Sequence, residues 1–258
     1  MRTDFSFTNC AFLISVSLVF CTSCSSNSDD KPLVVTPASI SMHYEDTQQL
    51  SAEGATSWLS NDEFVAKVNS SGLVTGNHVG NTEIVVSDGK STANCNITIT
   101  PEYYLYDDPI LQWGASMSSI ESAEKHKKES STSNIITYNY AFDSNACAVG
   151  YSFENGKLKS VMALFSYSLY VKAALYLIER FQPIAAGNDY DYVLVDALKE
   201  DRCKTVVYYT SYKSGKNTYT SIMYMDYSAL NKAKSRSAAE YNPNNDEMTK
   251  ELVKMIEN

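Results

Sequence analysis

From Pro32 to Thr100, apolar residues arrive in short runs broken by Asn, Asp, Ser and Gly. Runs of that kind predict strands near 39–43, 48–52, 56–60, 65–68, 73–75, 83–86 and 93–99. The last is the clearest. Ala93, Cys95, Ile97 and Ile99 fall on one face, and Asn94, Asn96 and Thr98 on the other. About seven short strands with closely spaced turns predict an all-β sandwich over 32–100.

After Pro101 the periodicity changes. A helical pattern runs from 117 to 128, with Ser116 or Ser118 placed to cap it. Ser118 has Glu121 three residues on, the spacing of a capping box. Lys125, Lys127 and Lys128 would form the last turn, where cations are favoured. Ile136, Tyr138, Tyr140 and Phe142 then alternate as a strand, as do Cys147, Val149, Tyr151 and Phe153. Asn155-Gly156 marks a type I′ hairpin into a returning strand at 158–165. A second helix is predicted over 169–182, stopped by Pro183. It is apolar nearly all round, with Tyr170, Ala174, Leu177, Ile178 and Phe181 as its strongest stripe, so it must lie buried across a sheet. Strands recur at 190–195, 205–212 and 218–227, with a Ser214-Gly215 turn in the last hairpin. The order is helix, three strands, helix, three strands. The expected fold is therefore multidomain: the sandwich, then an α+β domain over 101–228. That domain would be an antiparallel sheet with helices on one side, built from two α-β-β-β units. A polar linker, 229–243, leads to an amphipathic helix, 244–258, with Met248, Leu252, Met255 and Ile256 on one face. That helix either docks on its own domain or offers its stripe to a partner.

Composition sharpens this picture. The chain has 258 residues, 44% hydrophobic and 20% charged, enough apolar material for more than one core. A net charge of −9 argues against nucleic acid or an anionic membrane surface as partner. Of 19 tyrosines, all but Tyr44 lie from Tyr103 onward, which sets a domain boundary near residue 100. Residues 11–20, AFLISVSLVF, are too short a run to span a bilayer but suit a signal peptide over 1–23. Cys24 follows Thr22-Ser23, small residues that suit the narrow peptidase site preceding a lipid-modified cysteine. Cys21, after the bulky Phe20, is the alternative attachment point. The tether that follows, 24–31, is polar and acidic and contributes nothing to a core.

Two resemblances add to this reading. The Ser-Ser-Asn-Ser-Asp-Asp run after Cys24 resembles the export signal of Bacteroidetes lipoproteins. It implies lipid anchoring and display on the outer membrane surface. Pro37-Ala-Ser-Ile-Ser, Asp46-Thr-Gln-Gln-Leu50, Gly54-Ala-Thr-Ser-Trp58, Phe64-Val-Ala-Lys-Val68, Ser71-Gly-Leu-Val-Thr-Gly76, Gly80-Asn-Thr-Glu-Ile84 and Cys95-Asn-Ile-Thr-Ile99 follow in order. Together they resemble the group-2 bacterial immunoglobulin-like family. That implies an immunoglobulin-like sandwich serving as spacer or adhesive module, without catalytic residues. The second domain is similar, in topology alone, to small outer-membrane assembly lipoproteins of the SmpA/OmlA-like group and to β-lactamase inhibitor proteins. Gly114-Ala-Ser116, Tyr151-Ser-Phe153 and Asn155-Gly-Lys-Leu158 carry that likeness, which implies protein contact or scaffolding.

Searching for chemistry yields little. His43, His78 and His126 show no metal-ligand spacing, and His43 and His78 read as ordinary surface or strand residues. No nucleophile elbow, phosphate loop or His-Glu-x-x-His is present. Glu154, Asp189, Asp191 and Asp196 form no recognisable catalytic pair. The expectation is a non-enzymatic protein without metal or cofactor. Trp58 can stack on a sugar or fill the sandwich core, and its position favours the core. Cys95 reads as a buried thiol. Cys147 and Cys203 either bridge the two α-β-β-β units or stay free. The candidate contact residues are Tyr208, Tyr212, Tyr219 and Tyr224. Tyr224 points to the opposite side from Tyr219, so both sheet faces are aromatic, and only one of them can meet the 169–182 helix, which leaves the other open. Tyrosine offers apolar area and a hydroxyl there, for a glycan, a surface protein or an envelope protein. The alternative is that cross-strand tyrosines only stabilise the sheet. Two function classes follow: a surface binding or adhesion protein, and a structural or assembly lipoprotein.

Overall fold

A computed structural model of the chain describes residues 31–140, 146–186, 191–228 and 247–257. The expected signal peptide with Cys21 and Cys24, most of the expected tether, the expected 229–243 linker, Phe142 and Asp189 lie outside them. Leu33–Asn258 forms one compact unit.

Its first part is the expected sandwich. One sheet has the order β1 (Ser39–Met42), β7 (Thr92–Ile99), β6 (Gly80–Ser87), β3 (Ser57–Ser60), with β1 parallel to β7. The other has β2 (Thr47–Gln49), β5 (Leu73–Gly76), β4 (Ala66–Val68). Cys95, Ile97 and Ile99 of β7 point inward as their alternation predicts, and meet Leu50, Val74, Ile84 and Val86. Trp58 packs against this core while staying half-buried. Its ring lies over Gly72, where an added Cβ would sit 2.9 Å from the indole and the backbone has φ +83°. Only glycine meets both demands.

The second part is an eight-stranded antiparallel sheet with the order β12-β13-β14-β15-β11-β10-β9-β8. Its strands are β8 (Lys127–Ser131), β9 (Ile135–Asn139), β10 (Cys147–Glu154), β11 (Lys157–Ser166), β12 (Gln182–Ala185), β13 (Tyr192–Val195), β14 (Thr205–Ser214) and β15 (Asn217–Asp226). Helix α1 (Met117–Ala123) precedes the first four and α2 (Tyr170–Ile178) the second four. Two helix-plus-four-strand halves thus meet through their last strands, β11 and β15, with the first strand of each half at an outer edge. This corrects the expected three strands per unit. It also shortens both helices, so the part is mostly β with few helices, and the expected α+β description holds only in part. The extra strands hid at the edges. β8, Lys-Lys-Glu-Ser-Ser, has no apolar alternation, and β12 holds Pro183, which a sheet tolerates at an edge. Lys127 and Lys128 accordingly sit on a strand, not in a helical turn. The hairpin reading holds: Asn155 and Gly156 have φ of 51° and 73°.

Both helices lie on one face, over Tyr138, Val149, Tyr151, Phe165, Val207, Tyr209 and Tyr224. α2 buries Ala173, Tyr176 and Leu177, a face turned from the expected stripe. The opposite face is covered by α3 (Glu247–Glu257). Its Met248, Leu252 and Val253 bury against Ile135, Ala148, Met162, Leu164 and Met223. Gly150 makes the seat, since a Cβ there would stand 2.8 Å from Met248 Cγ.

Candidate functional site

The alternation along β14 and β15 is as expected: Tyr208, Tyr212 and Tyr219 share one face and Tyr224 takes the other. The expected openness is not. Tyr224 is buried in the helix-side core, its hydroxyl 2.5 Å from that of Tyr106. Tyr212 and Tyr219 are buried under α3, where Glu257 accepts from the Tyr219 hydroxyl at 2.6 Å. Tyr208 is half-buried beside them. The face is closed because α3 buries its own stripe there, and each fully buried Met or Leu stabilises by roughly 1.5–3 kcal/mol.

The structure exposes other tyrosines. A 3-10 turn, Tyr167–Leu169, leads into α2, and its Tyr167 is 48% exposed. From there a row of rings crosses the sheet toward β13. Tyr167 and Tyr170 have centroids 5.2 Å apart, Tyr170 and Tyr209 4.9 Å, and Tyr209 and Tyr192 6.3 Å. Tyr192 ends the row at 45% exposure. Tyr192 pairs directly with Tyr209 in the β13–β14 register, so their rings share a face. α2 has nine residues, too few to cover this end of the sheet. The row is fixed from beneath. Tyr209 donates to the Tyr170 carbonyl at 2.5 Å, and Asp191 hydrogen-bonds the Tyr170 hydroxyl while accepting from Ser211 N at 3.2 Å. Burial first, then that carboxylate, pushes the Tyr170 pKa up to about 12. Val171, which follows Tyr170 in α2, and Ile184 of β12 are both more than half exposed. Pattern reading missed the row because its members come from a turn, a helix start and two strands. Only the cluster of tyrosines after residue 166 hinted at it.

Two buried glutamates organise the rest. Glu124, the C-cap of α1, accepts from Tyr140 and Tyr151 hydroxyls through Oε2 and from His126 N and Nδ1 through Oε1. His126 stacks on Tyr140 and also meets Asp107 at 3.1 Å. Glu179, the C-cap of α2, is fully buried. Its carboxylate accepts from Glu102 N at 3.0 Å and Tyr103 N at 3.1 Å, and pairs with Arg180. Arg180 lies over the Tyr176 ring at 3.9 Å and faces Asp108.

Glu179 also ties the sandwich to the sheet. Its carbonyl accepts from Val79 N at 2.7 Å, and neighbouring His78 pairs with the Phe64 carbonyl at 2.7 Å and with that of Phe181. His78 is therefore a buried junction residue, not a surface one, and burial pushes its pKa down. Beside the junction, a cleft of about 890 Å³ separates 59–64 from 196–204. Leu59 and Leu198 are exposed on its two walls.

Cys95, Cys147 and Cys203 are all free. Burial pushes each thiol pKa up, most for Cys147. Thiol titration of the chain cleaved ahead of Lys31 is expected to count three in denaturant. In the native state only Cys203, which is partly exposed, should react readily.

Among the described residues no three His, Cys, Asp or Glu side chains converge to hold a metal ion. No described helix is long and apolar enough to cross a membrane. A comparison with curated proteins yields no match to this chain. A scan against protein-family models matches residues 28–99, and the segment that builds the sandwich is thereby a bacterial Ig-like domain of group 2.

Proposed function

We propose that the chain is a lipid-anchored binding or adhesion protein of the bacterial outer membrane surface. In this reading Cys24 carries the lipid, the Ig-like domain is a rigid arm, and the eight-stranded sheet makes the contact. Domains of this group are often found in surface or adhesion proteins. The observation that carries the reading is the row of tyrosines ending in exposed Tyr167 and Tyr192, held rigid by Tyr209 and Asp191. Fixed aromatic side chains give contact area at little cost in conformational entropy. No catalytic arrangement enters the reading.

The test is retention of cells displaying the chain on mucus-coated or cell-matrix surfaces. Replacing both Tyr167 and Tyr192 by serine should abolish retention while leaving the melting temperature unchanged. Equal retention of the variant would sink the reading. Anchoring is tested separately: palmitate label should be lost in Cys24→Ala, and loss only in Cys21→Ala would move the site. The exposed Val171 and Ile184 favour a second reading, an assembly lipoprotein contacting envelope proteins. Crosslinking from Ile184 to an envelope protein, without surface retention, would select it.

A further inference from the structure

The proposed binding role leaves the ligand class open, and the dimensions and chemistry of the tyrosine row narrow it. A stable protein–protein contact covers about 800 Å² on each partner. The row offers far less: a tyrosine has at most about 150–250 Å² to bury, and Tyr167 and Tyr192 each expose less than half of their surface. What it has instead is a short row of rings inclined to their neighbours by 39°, 33° and 21°, in which Tyr167, Tyr170 and Tyr192 reach the surface around buried Tyr209, with the Asp191 carboxylate beside Tyr170. Flat apolar faces bordered by hydrogen-bonding groups match a ring-shaped ligand that is apolar on its faces and hydroxylated at its rim. A pyranose has that form. Charge narrows the class again. The chain carries a net −9, and Asp191 adds a negative group at the row itself, so sulfated or uronate-rich polymers are repelled.

We infer that the Tyr167–Tyr170–Tyr192 row is a binding site for a neutral oligosaccharide of a few sugar units, its rings stacked on the tyrosines. Tyr209 and Asp191 are positioning residues that keep the rings in line before the sugar arrives. This inference rests on the proposed binding role, but it can fail while that role survives.

The experiment uses the full chain in detergent micelles. The probes are neutral glucan, mannan, galactan and N-acetylglucosamine oligosaccharides, with heparin as the sulfated control. At least one neutral probe should bind, with little dependence on salt, and heparin should not. Loss of a stacking ring weakens binding by about tenfold or more, so Tyr192→Ser and Tyr167→Ser should each do so. Tyr192→Leu is the deciding variant, since it keeps the apolar area and removes the flat ring. It should weaken sugar binding as much as serine does. Tyr104→Ser, at an exposed tyrosine elsewhere, should leave binding unchanged. Absence of binding to every neutral probe would overturn the inference, as would wild-type affinity in Tyr192→Leu. Surface retention that is lost in Tyr167→Ser/Tyr192→Ser but indifferent to deglycosylation of the target would overturn it too. That last outcome keeps the binding role and assigns the row to a protein.

Discussion

Glu179→Ala is expected to destabilise the chain by about 3–5 kcal/mol, the usual cost of removing one partner from a buried ion pair. The substitution leaves Glu102 N and Tyr103 N without their acceptor and strips Arg180, only 10% exposed, of its nearer counter-charge. Asp108, 3.4 Å from Arg180 Nε and itself largely exposed, replaces little of it. The damage should be local as well as global. Those two amides belong to the segment leaving the sandwich, so limited proteolysis should cut near residues 101–103 in the variant before the sheet unfolds. Glu179→Gln keeps an acceptor oxygen and should lose less in urea titration. Equal loss in both variants would mean that packing volume, not charge and hydrogen bonding, sets the role of this side chain.

Glu124 is expected to make the fold sensitive to acid. Burial alone would raise its pKa, but hydrogen bonds from Tyr140, from His126 backbone and ring, and from Tyr151 outweigh burial and bring it to about 2. With an ordinary value near 4.5 when unfolded, the folded state holds the proton less tightly. Its contribution, about 3 kcal/mol from the difference between those two values, is therefore complete above pH 4.5. It declines as the pH falls toward 2. Glu124→Gln should flatten the stability profile across that window while leaving the fold intact. An unchanged acid slope in the variant would refute the assignment. His126, ring-stacked on Tyr140, supplies both an N–H and its ring to the same carboxylate, so His126→Ala should lower stability in the same direction by a smaller amount.

These glutamates show where sequence reading stops. Glu124-Lys125 and Glu179-Arg180 look like ordinary charged helix ends. Their partners lie far off in the chain, at Tyr140 and Tyr151 for one and at Glu102 and Tyr103 for the other. The only local sign was the recurrence of a glutamate followed by a base at the end of each helical stretch. What depends on neighbours in sequence was legible. The alternation of β7, β10, β14 and β15, the Asn155-Gly156 hairpin and the motif order of the Ig-like domain needed no distant partner. What depends on which element covers which was not. Tyr212 and Tyr219 were placed on the right face, but closure of that face by α3 follows from the seat at Gly150, which no periodicity reveals. The edge strands β8 and β12 were missed for a related reason. A strand with one neighbour and wet side chains has no need of the apolar alternation that marks an interior one.

The meeting of the two halves at β11 and β15 has a consequence for how the chain reaches this fold. Every other pairing in the large sheet joins strands consecutive in sequence, so each half can assemble as a meander of short loops. Closing a long loop costs more chain entropy than closing a short one, and non-local pairings slow folding. The search for the native state is therefore concentrated in one event, the zipping of β15 onto β11. Until it happens, each half presents a ten-residue strand carrying aliphatic, methionine and aromatic residues as a bare edge. That interval, rather than any weakness of the finished sheet, is when one copy of the chain is most exposed to another.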